Sequence, residues 1–386
     1  MTTSGWQRAT NLLCVRLDYL GDVLMMTPAI RALKRAHPDR HVTLLTSSCG
    51  AAIASLVPEI DDTIEYAAPW MKGSEAHTPE IDFAMIASLR ARHFDGAVVF
   101  TTYSQSALPA AMLCYHAGIP LRLAHCRENP YFLLTDWVAE TEPRERVRHE
   151  VRRQLDLVAS IDCRTDDERL SLRVPAVELA WARSRLHALG IDAAQPWILL
   201  HPGASAPSRR YPPELWREAA QQLARRTGYP LIFTGAADEA ALVEQIRQGV
   251  PAAHSLAGML NLDRLAACIA LARLAIANNT GPAHIAAAVG TPVVDLYALT
   301  NPQHTPWQVA NRVLFHDVPC RFCYKSVCPQ GHQHCLTKVE PHTVADAAIE
   351  LLQMEDDHMP ESVGVLAIQP DMNSLHVVAG DPIQWK

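Results

Sequence analysis

The stretch NNTGPAHIAAA, residues 278–288, is the most informative for the fold, because it joins an apolar strand to an alanine-rich helix through a short polar turn. Thr280 and Gly281 let the backbone approach a ligand closely, and Pro282 suits the start of a helix. The free amides at that helix start form a partly positive end, which predicts a site for phosphate or pyrophosphate. An ordinary strand-to-helix connection with a good cap is the alternative interpretation of this segment alone.

Apolar runs of strand length alternate with helical patterns on both sides of this turn. Such alternation predicts parallel sheets covered by helices on both faces. The predicted strands span residues 12–17, 42–46 and 97–100 in the first half, and 197–200, 231–233, 274–277 and 293–296 in the second. We therefore expect an α/β protein with two Rossmann-like domains and a cleft between them, and ligands beyond the carboxyl ends of the strands.

The length of 386 residues suits two domains of ordinary size. We predict an N-terminal domain over residues 1–175, a C-terminal domain over 190–354 and a tail over 355–386, with a hinge near 174–189. The densely charged run at residues 144–153 is typical of a solvated helix.

The composition describes a globular protein whose partners are small molecules. Apolar residues make up 49% of the chain and the net charge is −7, so nothing indicates binding to nucleic acid. No apolar run approaches the ~18 residues that span a bilayer, and the first ten residues lack the apolar core of a signal peptide. We expect a cytoplasmic protein.

A strand, a glycine-containing turn and a helix follow one another in RLDYLGDVLMMTP, residues 16–28. Asp22 falls at the start of that helix. It either caps the helix and complements its dipole, or faces the cleft as a general base.

A second loop, HPGASAPSRRYP at residues 201–212, follows the strand predicted at 197–200. Its small residues, among them Gly203 and Ser205, permit close approach of the backbone to a ligand. Arg209 can bind a phosphate through paired hydrogen bonds.

A third loop, TGAADE at residues 234–239, also follows a strand. Gly235 gives the backbone room, and Asp238 or Glu239 either holds ribose hydroxyls or caps the next helix. The chain has no GxGxxG motif opening a βαβ unit and no P-loop lysine motif, which argues against nicotinamide or flavin enzymes and P-loop enzymes.

Four cysteines and two histidines fall within sixteen residues: Cys320, Cys323, Cys328, His332, His334 and Cys335. The four thiolates could form a structural zinc site, with the histidines as alternative ligands. Only Cys320 and Cys323 have the spacing of a zinc knuckle, so reduced thiols and a labile disulfide remain alternatives.

In this order the motifs resemble those of glycosyltransferase family 9, the heptosyltransferases of lipopolysaccharide core assembly, over about residues 12–349. The matching segments are Gly21-Asp22, Thr27-Pro28, the loop at 201–203, residues 209–212, the turn at 278–284, Gly290-Thr291-Pro292, Thr300-Asn301-Pro302 and the cysteine-rich segment at 320–335. Three positions depart from the family pattern. Asn279 stands where aspartate is frequent, Arg209 where lysine is common, and Ala298-Leu299 where Gly-Pro is usual.

The resemblance implies a GT-B architecture with the nucleotide-sugar donor on the C-terminal domain and the acceptor mainly on the N-terminal one. Asp22 would deprotonate the acceptor hydroxyl in a single inverting displacement. The amides of Thr280 and Gly281, together with Arg209, would stabilise the leaving ADP, so that catalysis requires no metal or other cofactor.

The same resemblance assigns secondary roles. Asp238 and Glu239 are candidates for the ribose, and His284 either reaches the donor or supports the loop. The arginines Arg16, Arg122 and Arg127 are candidates for phosphates or carboxylates of the acceptor.

The implied function is transfer of a heptose from ADP-L-glycero-D-manno-heptose to Kdo or heptose of the lipopolysaccharide inner core, with transient contact at the inner membrane surface. Three alternatives stay open. They are a transferase of the same family with another nucleotide sugar or acceptor, a GT-B nucleotide-sugar epimerase, and a non-catalytic binding protein.

Overall fold

Each half of the chain builds one parallel six-stranded sheet in the computed structural model, which describes residues 3–72 and 77–357. The strands of the first sheet are β1 (Asn11–Arg16), β2 (His41–Thr46), β3 (Asp62–Glu65), β4 (Gly96–Val99), β5 (Leu121–Cys126) and β6 (Asp136–Ala139). Those of the second are β7 (Ile198–His201), β8 (Leu231–Phe233), β9 (Ala253–Ser255), β10 (Leu274–Asn278), β11 (Val293–Leu296) and β12 (Asn311–Leu314). Every predicted strand is confirmed, with ends within one residue.

The two sheets have the same topology, β3-β2-β1-β4-β5-β6 and β12-β11-β10-β7-β8-β9. The middle residues of the central strands β1 and β10 are apolar and buried, as helix-covered parallel sheets require. In register, Cys14 of β1 lies between Leu44 of β2 and Val98 of β4. The expected pair of Rossmann-like α/β domains is therefore confirmed.

Helices cover both faces of each sheet. In the first half they are α1 (Thr3–Arg8), α2 (Leu20–Ala36), α3 (Ser48–Ala54), α4 (Pro79–Ala91), α5 (Leu108–His116) and α6 (Glu150–Ala159). In the second they are α7 (Ala176–Ala188), α8 (Pro213–Thr227), α9 (Ala240–Arg247), α10 (Leu262–Leu271), α11 (Gly281–Val289), α12 (His334–Thr337) and α13 (Pro341–Asp357). None of these described helices is long and apolar enough to cross a membrane.

Helix α2 carries a proline in its interior without ending there. Pro28 has no N–H for the carbonyl of Leu24, four residues earlier. The hydroxyl of Thr27 donates to that carbonyl at 2.7 Å instead, and itself accepts from the amide of Ser171 at 2.9 Å. The Thr27-Pro28 pair thus keeps the helix intact and ties it to the chain that leaves the first domain.

The charged run at residues 144–153 differs from the solvated helix expected there. Only its end is helical, because α6 begins at Glu150, and both Glu150 and Arg153 are buried. Their charges are compensated by ion pairs with Arg16 and with Glu140, which makes burial tolerable.

The predicted domain limits at residues 175, 190 and 354 remain predictions. Helix α7 spans most of the proposed hinge, and Gly190 follows it with a φ of 78°. The tail predicted at 355–386 lies outside the described residues from 358 onward.

Candidate functional site

The two sheets present their strand-order reversals to the same cleft. Strand order reverses between β1 and β4 in the first sheet and between β7 and β10 in the second, and open α/β sheets bind ligands at these points. Helix α2 begins directly after β1, and α11 directly after β10. The two helices contact each other across the cleft.

Glycines at the two helix starts allow this approach. A Cβ built on Gly21 would lie 2.6 Å from His284 Cδ2, and one on Gly281 would lie 2.7 Å from Leu20 Cδ1. Real Cβ atoms do not come so close, so a side chain at Gly21 would displace the His284 ring, whereas one at Gly281 would require only the end of Leu20 to shift. Asp22, next to Gly21, therefore lies at the same cleft as the turn that begins α11.

Asp22 caps α2 and remains partly exposed. Its Oδ2 accepts a hydrogen bond from the amide of Tyr19 at 3.2 Å, and its Oδ1 accepts from Arg16 Nη2 at 2.8 Å. The side chain remains 15% exposed, so solvent and substrate can reach it. Both interpretations of this residue from the sequence are thus geometrically available together.

Arg16, at the end of β1, is fully buried and joins three carboxylates. Its Nε lies 2.9 Å from Asp18, its Nη2 2.8 Å from Asp22, and its Nη1 2.8 Å from Glu150. Burial lowers the pKa of Arg16, but these carboxylates raise it above its ordinary value, so the guanidinium stays charged. Asp18 also accepts from Gln105 Nε2 at 2.6 Å.

The pKa values of two carboxylates in this cluster are shifted in opposite directions. Burial raises the pKa of Asp18, with Arg16 opposing and Asp22 reinforcing that shift. It would also raise the pKa of Glu150, but Arg16 and Arg153 lower it to about 2. Glu150 is therefore ionised at every physiological pH.

Two asparagines tie together the loops of the C-terminal domain. Asn278 donates to the carbonyl of Pro202 at 2.7 Å and accepts from the amide of Tyr211 at 3.2 Å. Asn279 accepts from the amide of Ala298 at 3.2 Å, while Arg209 Nη1 donates to its carbonyl at 3.3 Å. The bonds of Asn278 join the end of β10 to the loop after β7. The bond between Asn279 and Ala298 joins the loops after β10 and β11.

The predicted phosphate-binding groups meet at one place. Thr280 and Gly281 are partly exposed, and Asn278 and Asn279 are buried behind them. Arg209 points at this turn through its bond to the Asn279 carbonyl. The start of α11 and one guanidinium thus form a positively polarised surface that faces the cleft.

Of the two acidic candidates for ribose, only Glu239 lies among the other predicted groups. A Cβ on Gly203 would overlap its carboxylate, and Gly235 also lies against it. Its Oε2 accepts from the amide of Ala236 at 2.8 Å, which caps the short helix there. Asp238 is exposed, as is Ser205, and neither side chain has a hydrogen-bond partner among the described residues.

His284 is enclosed where the domains meet. Burial lowers its pKa to about 3, with His304, His149 and Arg209 adding to the effect. Its Nδ1 has no partner among the described residues. The neutral ring packs on Gly21, which favours the loop-supporting role without excluding contact between Nδ1 and a ligand.

The cysteine-rich segment does not form the predicted zinc site. No three His, Cys, Asp or Glu side chains in residues 3–72 and 77–357 converge as metal ligands. Cys335 is drawn into α12, and His332 Nδ1 accepts from the backbone amide of His334 at 3.0 Å. Cys320 Sγ lies 3.9 Å from His332 Nε2, but no third ligand joins this pair in the described part of the chain, so the structure does not support zinc at Cys320, Cys323, Cys328 and Cys335.

The segment packs against the loop that carries Arg209, one of the predicted phosphate-binding groups. The amide of Ser208 donates to Ser326 at 3.0 Å and its hydroxyl to Lys325 at 2.8 Å, beside Arg209. Farther along the cleft, Tyr324 reaches the N-terminal domain, where its hydroxyl bonds that of Tyr103.

The arginines proposed for the acceptor have different tasks. Arg16 is occupied by carboxylates, and Arg122 is buried and donates to the carbonyls of Leu133 and Phe132 at 2.8 Å each. Arg127 remains exposed at the end of β5, although one nitrogen donates to the Tyr103 carbonyl at 2.7 Å. The acceptor interpretation is therefore wrong for Arg16 and Arg122.

Sequence reasoning missed Asp18 and Glu150 as members of the site. An arginine ending an otherwise apolar buried strand was the available signal, since a charge there needs partners. Those partners are distant in sequence in the case of Glu150, and nothing local identifies it.

Comparison with known proteins agrees with this geometry. The family model described as glycosyltransferase family 9 (heptosyltransferase) matches residues 83–334. Lipooligosaccharide heptosyltransferase 2 of Haemophilus influenzae is 27% identical over 308 residues, 77% of this chain and 85% of that protein.

Two solved structures share the fold. The family 9 glycosyl transferase of Veillonella parvula superposes with a TM-score of 0.75 at 21% identity, over 89% of this chain and 98% of the other. The ADP-heptose lipopolysaccharide heptosyltransferase II of Escherichia coli does so with a TM-score of 0.69 at 23% identity, over 90% and 99%. The two-domain GT-B architecture is thereby confirmed. Since the family model covers more than half of the residues, the chain belongs to glycosyltransferase family 9 and is a glycosyltransferase.

Proposed function

We propose that this protein transfers a heptose from ADP-L-glycero-D-manno-heptose to Kdo or heptose of the lipopolysaccharide inner core, with inversion at the anomeric carbon. Membership of the heptosyltransferase family and a relative that acts on lipooligosaccharide support the sugar and the class of acceptor. The nucleotide and the linkage rest on the resemblance alone.

The observation that carries the proposal is the meeting of α2 and α11. Contact between Gly21 and His284, and between Leu20 and Gly281, brings a carboxylate and an anion-binding turn to one cleft. A sugar bound by its diphosphate at the start of α11 would present its anomeric carbon toward Asp22.

Asp22 is the proposed general base. It would take the proton of the acceptor hydroxyl as that oxygen attacks the anomeric carbon and the bond to the diphosphate breaks. Arg16 occupies one position on Oδ1, and each carboxylate oxygen has two lone pairs, so an acceptor hydroxyl can still bond to Asp22.

The leaving ADP would be stabilised by the backbone amides at Thr280 and Gly281 and by Arg209. These groups are fixed before the reaction, which is the condition under which they stabilise developing charge. Glu239 is the proposed ribose ligand, since it lies against Gly203 and Gly235 at the same loops. With this charge compensation the proposed step needs no metal.

The acceptor would bind to the N-terminal domain beside Arg127. A lipid-linked acceptor would require the protein to act in the cytoplasm at the inner membrane surface, and transient contact with that surface is part of the proposal.

A second candidate, another nucleotide sugar within the same family, is favoured by one observation. Asn279 stands where the family often has aspartate, and its side-chain oxygen accepts a hydrogen bond from the amide of Ala298. An amide there changes the charge beside the donor, and the fold itself accepts many donors.

The test is turnover of ADP-L-glycero-D-manno-heptose with Kdo-lipid A and with heptosyl-Kdo-lipid A, comparing the intact protein with Asp22→Asn. Loss of a general base lowers the rate by about 100-fold or more. Glu214→Gln is the matched control, because Glu214 occupies the first turn of α8 and is exposed. Product anomers read by NMR report inversion.

The outcomes separate the parts of the proposal. An Asp22→Asn protein as active as the control would remove the base. An intact protein that transfers no heptose but binds another nucleotide in calorimetry would discard the heptose donor and leave the family membership untouched.

A further inference from the structure

We propose that Arg16 and Glu150 are positioning residues for Asp22, forming a buried Glu150–Arg16–Asp22 chain that aligns the base when the two domains are in contact. The inference rests on the proposed function, because it assigns a task to residues around the proposed base.

Arg16 fixes the direction of the Asp22 carboxylate. A guanidinium is planar and presents its N–H groups in a rigid fork. Two arms of this fork end on Glu150 Oε1 and Asp22 Oδ1, each at 2.8 Å. Because Arg16 is fully buried, packing allows the fork no other orientation. The orientation of the Asp22 carboxylate is therefore fixed by a buried guanidinium that solvent does not reach.

Stability alone does not explain this arrangement. One buried carboxylate, Glu150, is enough to compensate the charge of Arg16. Adding Asp18 and Asp22 places three carboxylates around Arg16, which is more than its own charge compensates, and their partial burial disfavours such a surplus. Of the three, Asp22 lies at the cleft with the proposed donor turn. The surplus of carboxylates is typical of a site that holds a base.

Glu150 connects this chain to the C-terminal domain. Its backbone amide donates to the carbonyl of Gln303 at 3.0 Å, and its Oε2 lies 4.0 Å from His304 Nε2. The preceding residue, His149, donates through Nε2 to the carbonyl of Thr305 at 2.9 Å. Gln303, His304 and Thr305 follow β11, the strand beside the anion-binding turn. Contact of that loop with α6 thus places Glu150, which in turn places Arg16 and Asp22.

The groups that face Arg16 come from four segments of the chain. Asp18 and Asp22 lie on its own loop and α2, Glu150 on α6, and His304 on the loop after β11. A change in any of these groups alters the surroundings of the base. The pH dependence of the rate should therefore change in the variants, whereas a purely structural role would leave it unchanged.

The experiment compares Arg16→Lys and Glu150→Gln with the intact protein, measuring kcat, the donor KM and the acid limb of the kcat profile. Lysine keeps the charge but cannot reach three carboxylates with a fixed fork. We expect kcat to fall about 10- to 100-fold for Arg16→Lys with the donor KM within about threefold, and the acid limb of its kcat profile to differ from that of the intact protein. For Glu150→Gln we expect a loss of about fivefold or more.

Arg148→Lys is the matched control. Arg148 forms a comparable ion pair, with its Nε 2.9 Å from Glu142 Oε1, yet it does not contact Asp22. Its kcat and pH profile should match those of the intact protein.

A double variant, Arg16→Met with Glu150→Leu, guards against simple misfolding. The double variant removes the buried charge of Glu150 together with that of Arg16, and Asp18 keeps its hydrogen bond from Gln105, so we expect it to fold, which thermal unfolding checks. The positioning role predicts a folded double variant with kcat as low as that of Arg16→Lys. Recovery of the intact rate by the double variant would show that Arg16 acts only in folding and would overturn the inference.

Failure of the inference and failure of the proposed function are distinguishable. If Asp22→Asn loses its rate while Arg16→Lys and Glu150→Gln keep kcat and pH profile, only the positioning role is wrong. If Asp22→Asn keeps its rate, the proposed base is wrong and the positioning role falls with it. Binding of ADP by calorimetry, unchanged in every variant, confirms that the C-terminal domain is intact throughout.

Discussion

The imidazole of His284 packs directly on the backbone of Gly21, with Cδ2 2.6 Å from where a Cβ would stand. His284 belongs to the helix that begins with the anion-binding turn, and Gly21 precedes the proposed base. The approach of one domain to the other therefore depends on the missing side chain of Gly21 and on the size of the histidine ring.

Gly21→Ala should separate the two helix starts and lower kcat/KM by about 10- to 100-fold, since displacements of about 1 Å at a reacting centre have effects of this size. A double-mutant cycle with His284→Ala tests whether a clash with the His284 ring causes this loss of activity. If the clash is the cause, adding Gly21→Ala to His284→Ala should cost little more than His284→Ala alone. Full additivity of the two effects would contradict this explanation.

Asn278→Ala should destabilise the C-terminal domain by about 2–4 kcal/mol, because it leaves the buried Tyr211 amide and Pro202 carbonyl without their partner. Urea unfolding measures the loss, and a raised donor KM should accompany it as the loops separate. Asn311→Ala, which removes a single bond to the Val309 carbonyl at 2.9 Å from a less buried side chain, is the control.

Acid should destabilise the domain contact through its enclosed histidines. Burial lowers the pKa of His284 to about 3 and of His304 to about 4. An unfolded histidine binds its proton near pH 6.5 and these folded ones do not, so stability is intact above pH 6.5 and declines from there toward pH 4. Each group contributes up to about 1.4 kcal/mol per pH unit.

Denaturant unfolding between pH 7.5 and 4 checks this slope. His304→Gln should flatten it, while His342→Gln, on the exposed side of α13, should not. A loss of stability that begins only below pH 4 would point to Glu150 instead, since its folded pKa of about 2 stabilises the protein above the ordinary glutamate pKa and loses that effect only as the pH falls toward 2.

Asp295→Val should stabilise the protein. Asp295 lies in β11 with no exposed surface, and neither of its oxygens has a hydrogen-bond partner among the described residues. Burial raises its pKa well above the ordinary value, with Arg209 opposing, so the folded state loses stability as the pH rises past the ordinary aspartate pKa.

Valine suits a buried strand and removes that penalty, which we expect to raise the unfolding free energy at pH 7 by about 1–3 kcal/mol. A donor KM within threefold of the intact value should accompany the gain. A large rise in that KM would instead show that Asp295 helps to place Arg209.

The central strands β1 and β10 were predictable because their middle residues form apolar runs bounded by turns. Strand β3 was not, since Ile64 is its one apolar residue, and neither was β5, since Arg122 and His125 interrupt its apolar residues. Arg122 in β5 reads as a surface residue, and only the fold provides the carbonyls of Leu133 and Phe132 that make its burial tolerable.

Some residues of the candidate site could be predicted from the sequence and others could not. Asp22, Arg209 and the turn at Thr280-Gly281 were predictable because each follows a strand and carries its own local chemistry. Asp18 and Glu150 were not, and the structure does not support the zinc predicted at the cysteines, because spacing along the chain does not report where side chains point.

By itself the sequence determined the alternation of strands and helices, the anion-binding helix start and the base candidate, since backbone periodicity and turn chemistry act over a few residues. Only the tertiary structure decided that Gly21 meets His284 and that Arg16 pairs with Glu150, 134 residues later in the chain, and so joins it to Asp22. The contact of Glu150 with the second domain was likewise decided only there. Such contacts depend on how two independently formed sheets pack, and packing between distant segments leaves no periodic trace in either of them.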